Sequence, residues 1–286
     1  MEVVLKEGEQ LVMSSNQLLS FREYESAAEA LHILTPMLLL EFARHANNGT
    51  VGDRIARNFI ARANTTVSSV FQVWKAGDYT NCWILHRGLL DRLFHLEDLY
   101  RNHSFQVFDD WSFKQLCDAA ERLRSDPFIA GRVDGLVQTA TKEQKIRYRK
   151  LVANPPRWRR PKAKEVAKRM GLEFLYSYGY DYASRFVHPM GNDGEDDFKA
   201  LMNMEETSPL IQRGIVVLSN SVLVASMIFQ NALNASSLSW LAVVFDAVHG
   251  IREFLRDAAP EHHLALSKVA LICGEKRPLA QKQASS

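Results

Sequence analysis

Apolar side chains recur at intervals of three and four residues along most of the chain, which is the spacing of one face of an α-helix. Two clear runs are Leu31, Leu34, Leu38 and Phe42, and Leu85, Leu89, Leu93 and Leu96. By contrast, no convincing run alternates between apolar and polar residues and ends at an Asn-Gly or Asp-Gly turn, as a hairpin strand does. The pattern therefore predicts an all-α fold.

About eight helices follow from this pattern and from the residues at the helix ends. Asp78 is a suitable N-cap, Ser208-Pro209 has the cap-then-proline order that starts a helix, and Pro189 stops the helix before it. We expect helices at residues 27–46, 52–76, 79–102, 112–124, 128–152, 162–188, 208–234 and 237–257. Together they predict a single-domain helical bundle over residues 27–258, with an N-terminal segment at 1–26 and a C-terminal tail at 259–286.

Composition constrains the class of protein and its compartment. The chain has 286 residues and a formal net charge of +2 at pH 7, which is too mild to imply nucleic-acid binding unless charge is concentrated locally. Its three cysteines include no Cys-x-x-Cys pair, which excludes a zinc knuckle and a disulfide framework and fits a reducing compartment. The first residues lack the apolar core of a secretory signal. We therefore expect a cytoplasmic protein without a metal or other cofactor.

The most apolar stretch of the chain runs over residues 215–233. It contains Asn220, Gln230 and Asn231, and side-chain amides are rare in membrane-spanning helices. A helix buried in the protein core explains this composition better than a membrane span. No membrane contact is therefore expected.

The helix at 79–102 carries a polar stripe in a mostly apolar surface. Arg87, Asp91 and His95 follow one another at intervals of four residues, so they share one helix face. A helix that is apolar nearly all round is buried, and charges on it must be paired or must line a cavity. The alternative is an exposed stripe whose Arg–Asp pair contributes about 0.2–0.5 kcal/mol to helix stability.

A second polar stripe lies in the stretch YSYGYDYASRFVHP, residues 176–189. Tyr176, Tyr180, Ser184 and His188 are four residues apart, and they combine hydroxyl groups with a base that changes charge near neutral pH. A Ser–His nucleophilic pair is geometrically possible, but no nucleophile-elbow or oxyanion-hole sequence accompanies it. The alternative is a hydrogen-bonded network that holds two helices together.

The sequences LHRGLLDRLFHLEDL and YGYDYASRFVHP resemble a bacterial helical family known as domain of unknown function 5677, over about residues 60–235. The family pattern, an R-x-x-x-E helix and a later Y-x-x-x-S-x-x-x-H helix end, corresponds here to Arg87, Asp91, Tyr180, Ser184 and His188. Asp91 stands where the family usually has glutamate, which shortens the reach of that carboxylate. The resemblance implies that the two stripes belong to one site.

Helical proteins of this kind recur in phage-defence and toxin-like settings, where related folds are ribonucleases. The resemblance makes the HEPN ribonuclease signature, an arginine followed four to six residues later by a histidine, a candidate motif in this chain. Arg256 and His262 have this spacing, but Pro260 lies between them and disfavours a regular helical site. A HEPN-like fold with a displaced site is an alternative that the resemblance leaves open.

Residues 147–170 form a strongly basic segment in which Glu165 is the one acidic residue. Arginine and lysine can contact phosphate groups, and an exposed tryptophan can stack on a base. Arg157, Trp158, Arg159 and Arg160 are therefore candidates for contact with RNA or a nucleotide. The alternative is a solvated loop that only increases solubility.

An acidic loop follows the second stripe, with Asp193, Glu195, Asp196 and Asp197 in a glycine-rich stretch. Carboxylates of this kind can hold a divalent cation, but consecutive acidic residues in a loop are more often solvated. Docking onto the basic segment of the same chain or of a second copy is a further alternative. We assign no metal site to this loop.

These observations predict a defence or toxin-type protein that acts on RNA or a nucleotide by metal-independent phosphodiester chemistry. His188 is the expected general acid or base, Arg87 or Arg185 stabilises phosphorane charge, and the hydroxyl groups orient the substrate. The residues expected to act in catalysis are His188, Arg87, Asp91, Ser184 and Tyr180. The residues expected to bind substrate are Arg185, His95, Arg157, Trp158, Arg159 and Arg160.

The alternative is a non-catalytic helical subunit, regulatory or scaffolding, that binds a nucleic-acid enzyme or its RNA, either with a protein partner or as a homo-oligomer.

Overall fold

The computed structural model describes residues 21–44, 49–128, 140–188, 208–239 and 241–257, and between them residues 191, 194–195, 198–199 and 202. Throughout these ranges the regular structure is helical and no strand is found, so the predicted all-α single-domain class is confirmed. The HEPN-like assignment stays a prediction.

The helices lie close to the predicted ones over most of the chain. We number them α1 (Phe21–Arg44), α2 (Val51–Lys75), α3 (Tyr79–Arg101), α4 (Phe105–Ser125), α5 (Lys142–Ala153), α6 (Ala163–Met170), π1 (Leu175–Asp181), α7 (Tyr182–Ser184), α8 (Ser208–Asn234) and α9 (Ala242–Asp257). The predicted Asp78 cap is confirmed, since its carboxylate accepts the N–H of Asn81 at 3.0 Å. The first described helix begins at Phe21, earlier than the expected residue 27.

The prediction of one regular helix over 162–188 was wrong. Helix α6 ends at Met170, and its C-cap residue Gly171 adopts a left-handed conformation (φ 68°) that favours glycine. The chain then forms π1, in which backbone hydrogen bonds span five residues instead of four. After α7, residues 185–187 form a turn instead of continuing the helix.

The helix expected at 128–152 is also shorter than predicted. A capping box starts α5: the Thr141 hydroxyl accepts the Gln144 N–H at 3.2 Å, and the Gln144 side chain accepts the Thr141 N–H at 2.9 Å. Residues 140 and 141 are therefore outside the helix, and residues 129–139 lie outside the described residues.

The chain divides into two compact units, residues 1–97 with 161–286 and residues 98–160. In the first unit α8 is the core helix and packs against α1, α2 and α9. Its apolar face is continuous, and Leu218, Val222, Ile228 and Phe229 are fully buried. In the second unit α4 packs against α5.

Two described helices are long and apolar enough to cross a membrane by length and composition, α1 and the 215–234 part of α8. The apolar window of α8 is 83% buried within the protein, as expected of a core helix. The window of α1 is 33% buried, and Ile33, Met37 and Leu40 are exposed on it.

Candidate functional site

Helix α3 provides a rigid base for the site because it is buried on most of its surface. Only Asn81 and Arg101 are exposed along its length. Leu89, Leu90 and Leu93 are fully buried, and they fix the rotation of the helix about its axis. This rotation directs the polar stripe toward π1 and α7, and leaves it half-buried instead of exposed.

Four predicted residues form one hydrogen-bonded cluster, which we name the Arg87 tetrad: Arg87, Asp91, Tyr180 and Ser184. Arg87 donates from Nε to the Ser184 hydroxyl at 3.0 Å and from Nη2 to the Tyr180 hydroxyl at 3.2 Å. The Tyr180 hydroxyl in turn donates to Oδ1 of Asp91 at 3.2 Å. Arg87 and Asp91 are thus joined through the phenol, and the two polar stripes are in contact.

Aromatic contacts also hold the arginine in place. The Arg87 guanidinium lies over the Tyr180 ring, 4.7 Å from its centroid, in a cation–π contact. The ring of Tyr176 stacks on Tyr180 with centroids 5.7 Å apart and planes inclined by 16°. Phe94 approaches Tyr180 from α3 at 6.1 Å. Arg87 is therefore held by two hydrogen bonds and a ring face, which leaves little freedom to its side chain.

The hydroxyl protons of Ser184 and Tyr180 are both donated in hydrogen bonds within the structure. Ser184 donates its proton to the backbone carbonyl of Tyr180 at 2.7 Å while its oxygen accepts from Arg87. Burial raises the pKa of Tyr180, and the Asp91 carboxylate raises it further, so the phenol remains protonated at neutral pH. Among the described residues no hydrogen bond joins the Ser184 hydroxyl to a histidine, so this geometry does not support the Ser–His nucleophilic pair.

Gly179 allows π1 to approach α3 closely enough for the tetrad to form. A Cβ atom at this position would lie 2.8 Å from Cδ1 of Leu90 and 3.4 Å from Nε2 of His86. Real Cβ atoms are essentially never as close as 2.8 Å to another heavy atom. Because Tyr180 is the next residue, the approach of Gly179 also sets its position over Arg87.

His86 lies directly beneath this contact and is fully buried. Its Nδ1 lies 3.2 Å from the hydroxyl of Ser221 in α8, and its Nε2 has no hydrogen-bond partner among the described residues. Burial lowers the pKa of His86 from 6.5 to about 3, so the ring is neutral at physiological pH. His86 thus links α3 to the core helix at the residue before Arg87.

The remaining residues of the two stripes lie at the edge of the tetrad. His188 is exposed. Its backbone N–H donates to the backbone carbonyl of Ser184 at 3.2 Å, so it lies one turn of the chain beyond Ser184. Within the described part of the chain its imidazole forms no hydrogen bond. Arg185 is exposed with its guanidinium 5.9 Å from the centroid of the Tyr182 ring, and His95 is half-buried on α3.

The tryptophan of the basic segment is not a free stacking surface, contrary to our expectation. Trp158 is half-buried and packs against Phe108 at 4.8 Å and Trp111 at 4.5 Å between ring centroids. Arg157 and Arg159 on either side of it are exposed, as is Arg160. Trp158 therefore anchors the basic segment to α4, and the arginines of this segment are exposed to solvent.

Most of the acidic loop lies outside the described residues, including Asp193, Asp196 and Asp197. Glu195 is described and lies 3.8 Å from the Lys199 ammonium group. Among the described residues, no three His, Cys, Asp or Glu side chains lie close enough together to hold a metal ion.

Two residues that position the site were not identified from the sequence, His86 and Gly179. His86 precedes Arg87 in the sequence, but a lone histidine on an apolar helix carries no signal that distinguishes it from a core residue. Gly179 lies between two tyrosines, where a glycine within a helical pattern can indicate a close approach. The sequence around Gly179 therefore contains a signal of this contact, whereas the sequence around His86 does not.

We expect the substitution Gly179→Ala to separate π1 from α3. The added methyl group meets Leu90 inside the buried core, and overpacking of this kind typically costs about 1–3 kcal/mol. Urea denaturation measures the loss. The control is Gly250→Ala, because Gly250 is exposed in α9 with open space around it and a helical alanine there leaves stability unchanged or slightly higher. Equal stability of the Gly179→Ala variant and the wild type would contradict the close approach.

Comparison with known proteins identifies the family. The model of a family of unknown function, DUF5677, matches residues 53–205. This range is more than half of the chain and contains the whole Arg87 tetrad and His188, so the chain belongs to this family. Neither a curated protein nor a solved structure shows a significant match.

Proposed function

We propose that this member of the DUF5677 family acts on RNA or a nucleotide, and that the phosphate group of its substrate binds beside Arg87 and His188. The observation that carries the proposal is the state of Arg87, which is rigidly held yet has hydrogen-bond donors without a partner among the described residues. The defence or toxin setting implied by the family resemblance is part of the same proposal.

Arg87 fits the role of a phosphate-binding residue because its guanidinium has donors to spare. A guanidinium carries five N–H groups. Two of them donate to Ser184 and Tyr180, and Arg87 has no further hydrogen bond within the described residues. Nη1 is therefore available for a phosphate oxygen. A positively charged group that is fixed before substrate binds stabilises developing phosphorane charge without reorganisation.

His188 supplies the titratable group that this chemistry needs. It lies one turn beyond Ser184, is exposed to a substrate, and its imidazole forms no hydrogen bond among the described residues. In RNA cleavage it takes the proton of the attacking 2′-hydroxyl or gives one to the leaving oxygen. Arg185, also exposed, adds a second positive charge in the turn that follows α7. Ser184 and Tyr180 orient Arg87, and Asp91 holds the phenol.

A test of the proposal uses labelled tRNA, mRNA and single-stranded DNA, each with and without EDTA. We expect the wild-type protein to cleave RNA in the presence of EDTA, and His188→Gln to lower the rate by about 10²–10⁴-fold, the usual contribution of general acid–base catalysis. Single-stranded DNA stays intact because it lacks the 2′-hydroxyl nucleophile. The matched control is His249→Gln, which replaces an exposed histidine of α9.

Two results would count against the proposal. Cleavage that disappears with EDTA would assign the chemistry to a bound cation, and an undiminished rate in His188→Gln would exclude His188 from the reaction. A contaminating nuclease would cleave RNA equally in all three preparations, so a rate that falls in His188→Gln and stays at the wild-type value in His249→Gln excludes it.

The second candidate is a non-catalytic helical subunit that binds a nucleic-acid enzyme or its RNA. One observation favours it: the tetrad satisfies much of its hydrogen bonding internally, as a structural clamp between α3 and π1 does. Under this alternative the wild-type protein shows salt-sensitive binding of RNA and no cleavage under any condition of the same experiment.

A further inference from the structure

We infer that the face of α5 carrying Lys142, Lys145 and Arg149, extended by Arg157 and Arg159, binds the phosphate backbone of single-stranded RNA. We name these five residues the α5 basic surface. The inference concerns the second unit, residues 98–160, and the choice of RNA as the partner rests on the proposed function.

The orientation of α5 follows from its contacts with α4. Arg147 donates to Asp109 at 2.7 Å and to Asp110 at 2.6 Å, and the Tyr148 hydroxyl donates to Asp118 at 2.9 Å. These contacts turn one side of the helix toward α4. The opposite side faces solvent.

The opposite side of α5 carries a row of positive charges. Lys142, Lys145 and Arg149 are spaced by three and four residues, so they share one helix face, and all three are exposed. From Lys142 to Arg149 the helix rises about 10 Å, at 1.5 Å per residue. None of the three forms an ion pair within the described residues. Their charges are therefore free for a partner.

The extension of this surface is held in place by Trp158. Its packing on Phe108 and Trp111 fixes the chain beyond α5, and the neighbouring Arg157 and Arg159 are exposed on either side of it. Neither arginine forms an ion pair among the described residues. The segment is thus anchored by an aromatic side chain while its charges face solvent.

The charge balance of this part of the chain favours a polyanion. Residues 142–160 contain eight Lys or Arg and one acidic residue, Glu143. The acidic side chains of α4 are largely occupied, since Asp109 and Asp110 bond to Arg147, and Asp118 bonds to Lys114 and Tyr148. Among the described residues of the unit, little negative charge is left to neutralise the α5 basic surface. A phosphate backbone supplies it and releases counterions on binding.

The experiment measures binding of a short fluorescent single-stranded RNA by anisotropy at several salt concentrations. The test variant combines Lys142→Gln, Lys145→Gln and Arg149→Gln, and the control combines Lys142→Arg, Lys145→Arg and Arg149→Lys. Each lost phosphate contact lowers the slope of log Kd against log salt by about 0.7 for a single strand, so we expect the test variant to lose about 2 from the slope. The control variant keeps the wild-type slope. Both variants change the same three exposed positions, and we expect the substitutions to leave the fold intact.

The inference is overturned if the test variant binds RNA with the wild-type affinity and salt slope. It is also overturned if the wild-type protein binds an acidic polypeptide or vesicles containing anionic lipid more tightly than RNA, since a different partner class would then be indicated. A fluorescent double-stranded DNA is measured in the same anisotropy assay, and tighter binding of this duplex than of the single-stranded RNA would also overturn the inference.

The failure of this inference is distinguishable from failure of the proposed function. Salt-dependent RNA binding that requires the α5 basic surface, without any cleavage by the wild-type protein, supports the surface and contradicts the proposed activity. Cleavage that depends on His188 and proceeds with an unchanged KM in the test variant supports the activity and contradicts the surface.

Discussion

Replacing Arg87 by lysine lowers the turnover of RNA by about 10²–10³-fold, the loss typical when a fixed donor to developing charge is removed. Lysine keeps the positive charge, but its ammonium group lacks the planar fork that donates to Ser184 and Tyr180 together. The cation is then no longer held beside the substrate. Because the charge is conserved, RNA binding changes much less than turnover, and steady-state kinetics separate the two effects.

The control for this substitution is Arg122→Lys, at an exposed position on α4. It has the same chemical change and leaves turnover at the wild-type value. Stability is measured in parallel, since the two lost hydrogen bonds of Arg87 are worth about 1–3 kcal/mol. A variant that is folded and fully active at wild-type KM would show that Arg87 has a structural role alone.

The second large effect that we expect is on acid stability. Because of His86, the protein unfolds at a higher pH than it would with a side chain that does not titrate at this position. The folded protein holds His86 neutral, with a pKa of about 3, whereas the unfolded chain binds a proton near pH 6.5. Between these values the unfolded state carries more protons, so the free energy of unfolding falls by about 1.4 kcal/mol for each unit by which the pH is lowered. The stabilisation is fully present above pH 6.5 and is lost as the pH falls toward 3.

The measurement is urea denaturation of the wild type and of His86→Gln at several pH values between 6.5 and 4. Other groups titrate in this range, so the informative quantity is the difference in slope between the two proteins. We expect the wild type to lose stability more steeply than the variant. The control His32→Gln replaces an exposed histidine of α1 and keeps the wild-type slope. Identical slopes for the wild type and His86→Gln would show that His86 is not buried in its neutral form.

The sequence predicted the helical class, most helix bounds and the membership of the Arg87 tetrad. These features depend on local spacing: residues four apart on α3 share a face, and the apolar residues around them require burial. Arg87 and Asp91 on this buried helix therefore required hydrogen-bond partners, and the stripe of tyrosine and serine residues carries hydroxyl groups that can pair with them. That the two stripes lie against each other came from the family resemblance and was not derivable from spacing.

The features that the sequence did not reveal depend on contacts between distant residues. Residues 175–181 form a π-helix, and Gly179 within it lies against Leu90 and His86, which are about ninety residues earlier in the chain. The burial of Trp158 likewise depends on Phe108 and Trp111. A pattern of apolar and polar residues contains no information on such pairs.

The most direct test of the account is the NMR signal of the Arg87 Nε–H group during titration with a short RNA or a nucleotide. Arg87 Nε–H is hydrogen-bonded to Ser184, and Arg252 provides an internal reference because its Nε–H bonds to Ser226 at 2.8 Å in the core. The signal is assigned by its absence in Arg87→Lys. We predict that the Arg87 and His188 signals shift together and saturably while the Arg252 signal stays fixed. Saturating RNA that leaves the Arg87 and His188 signals unchanged would contradict the assignment of this site.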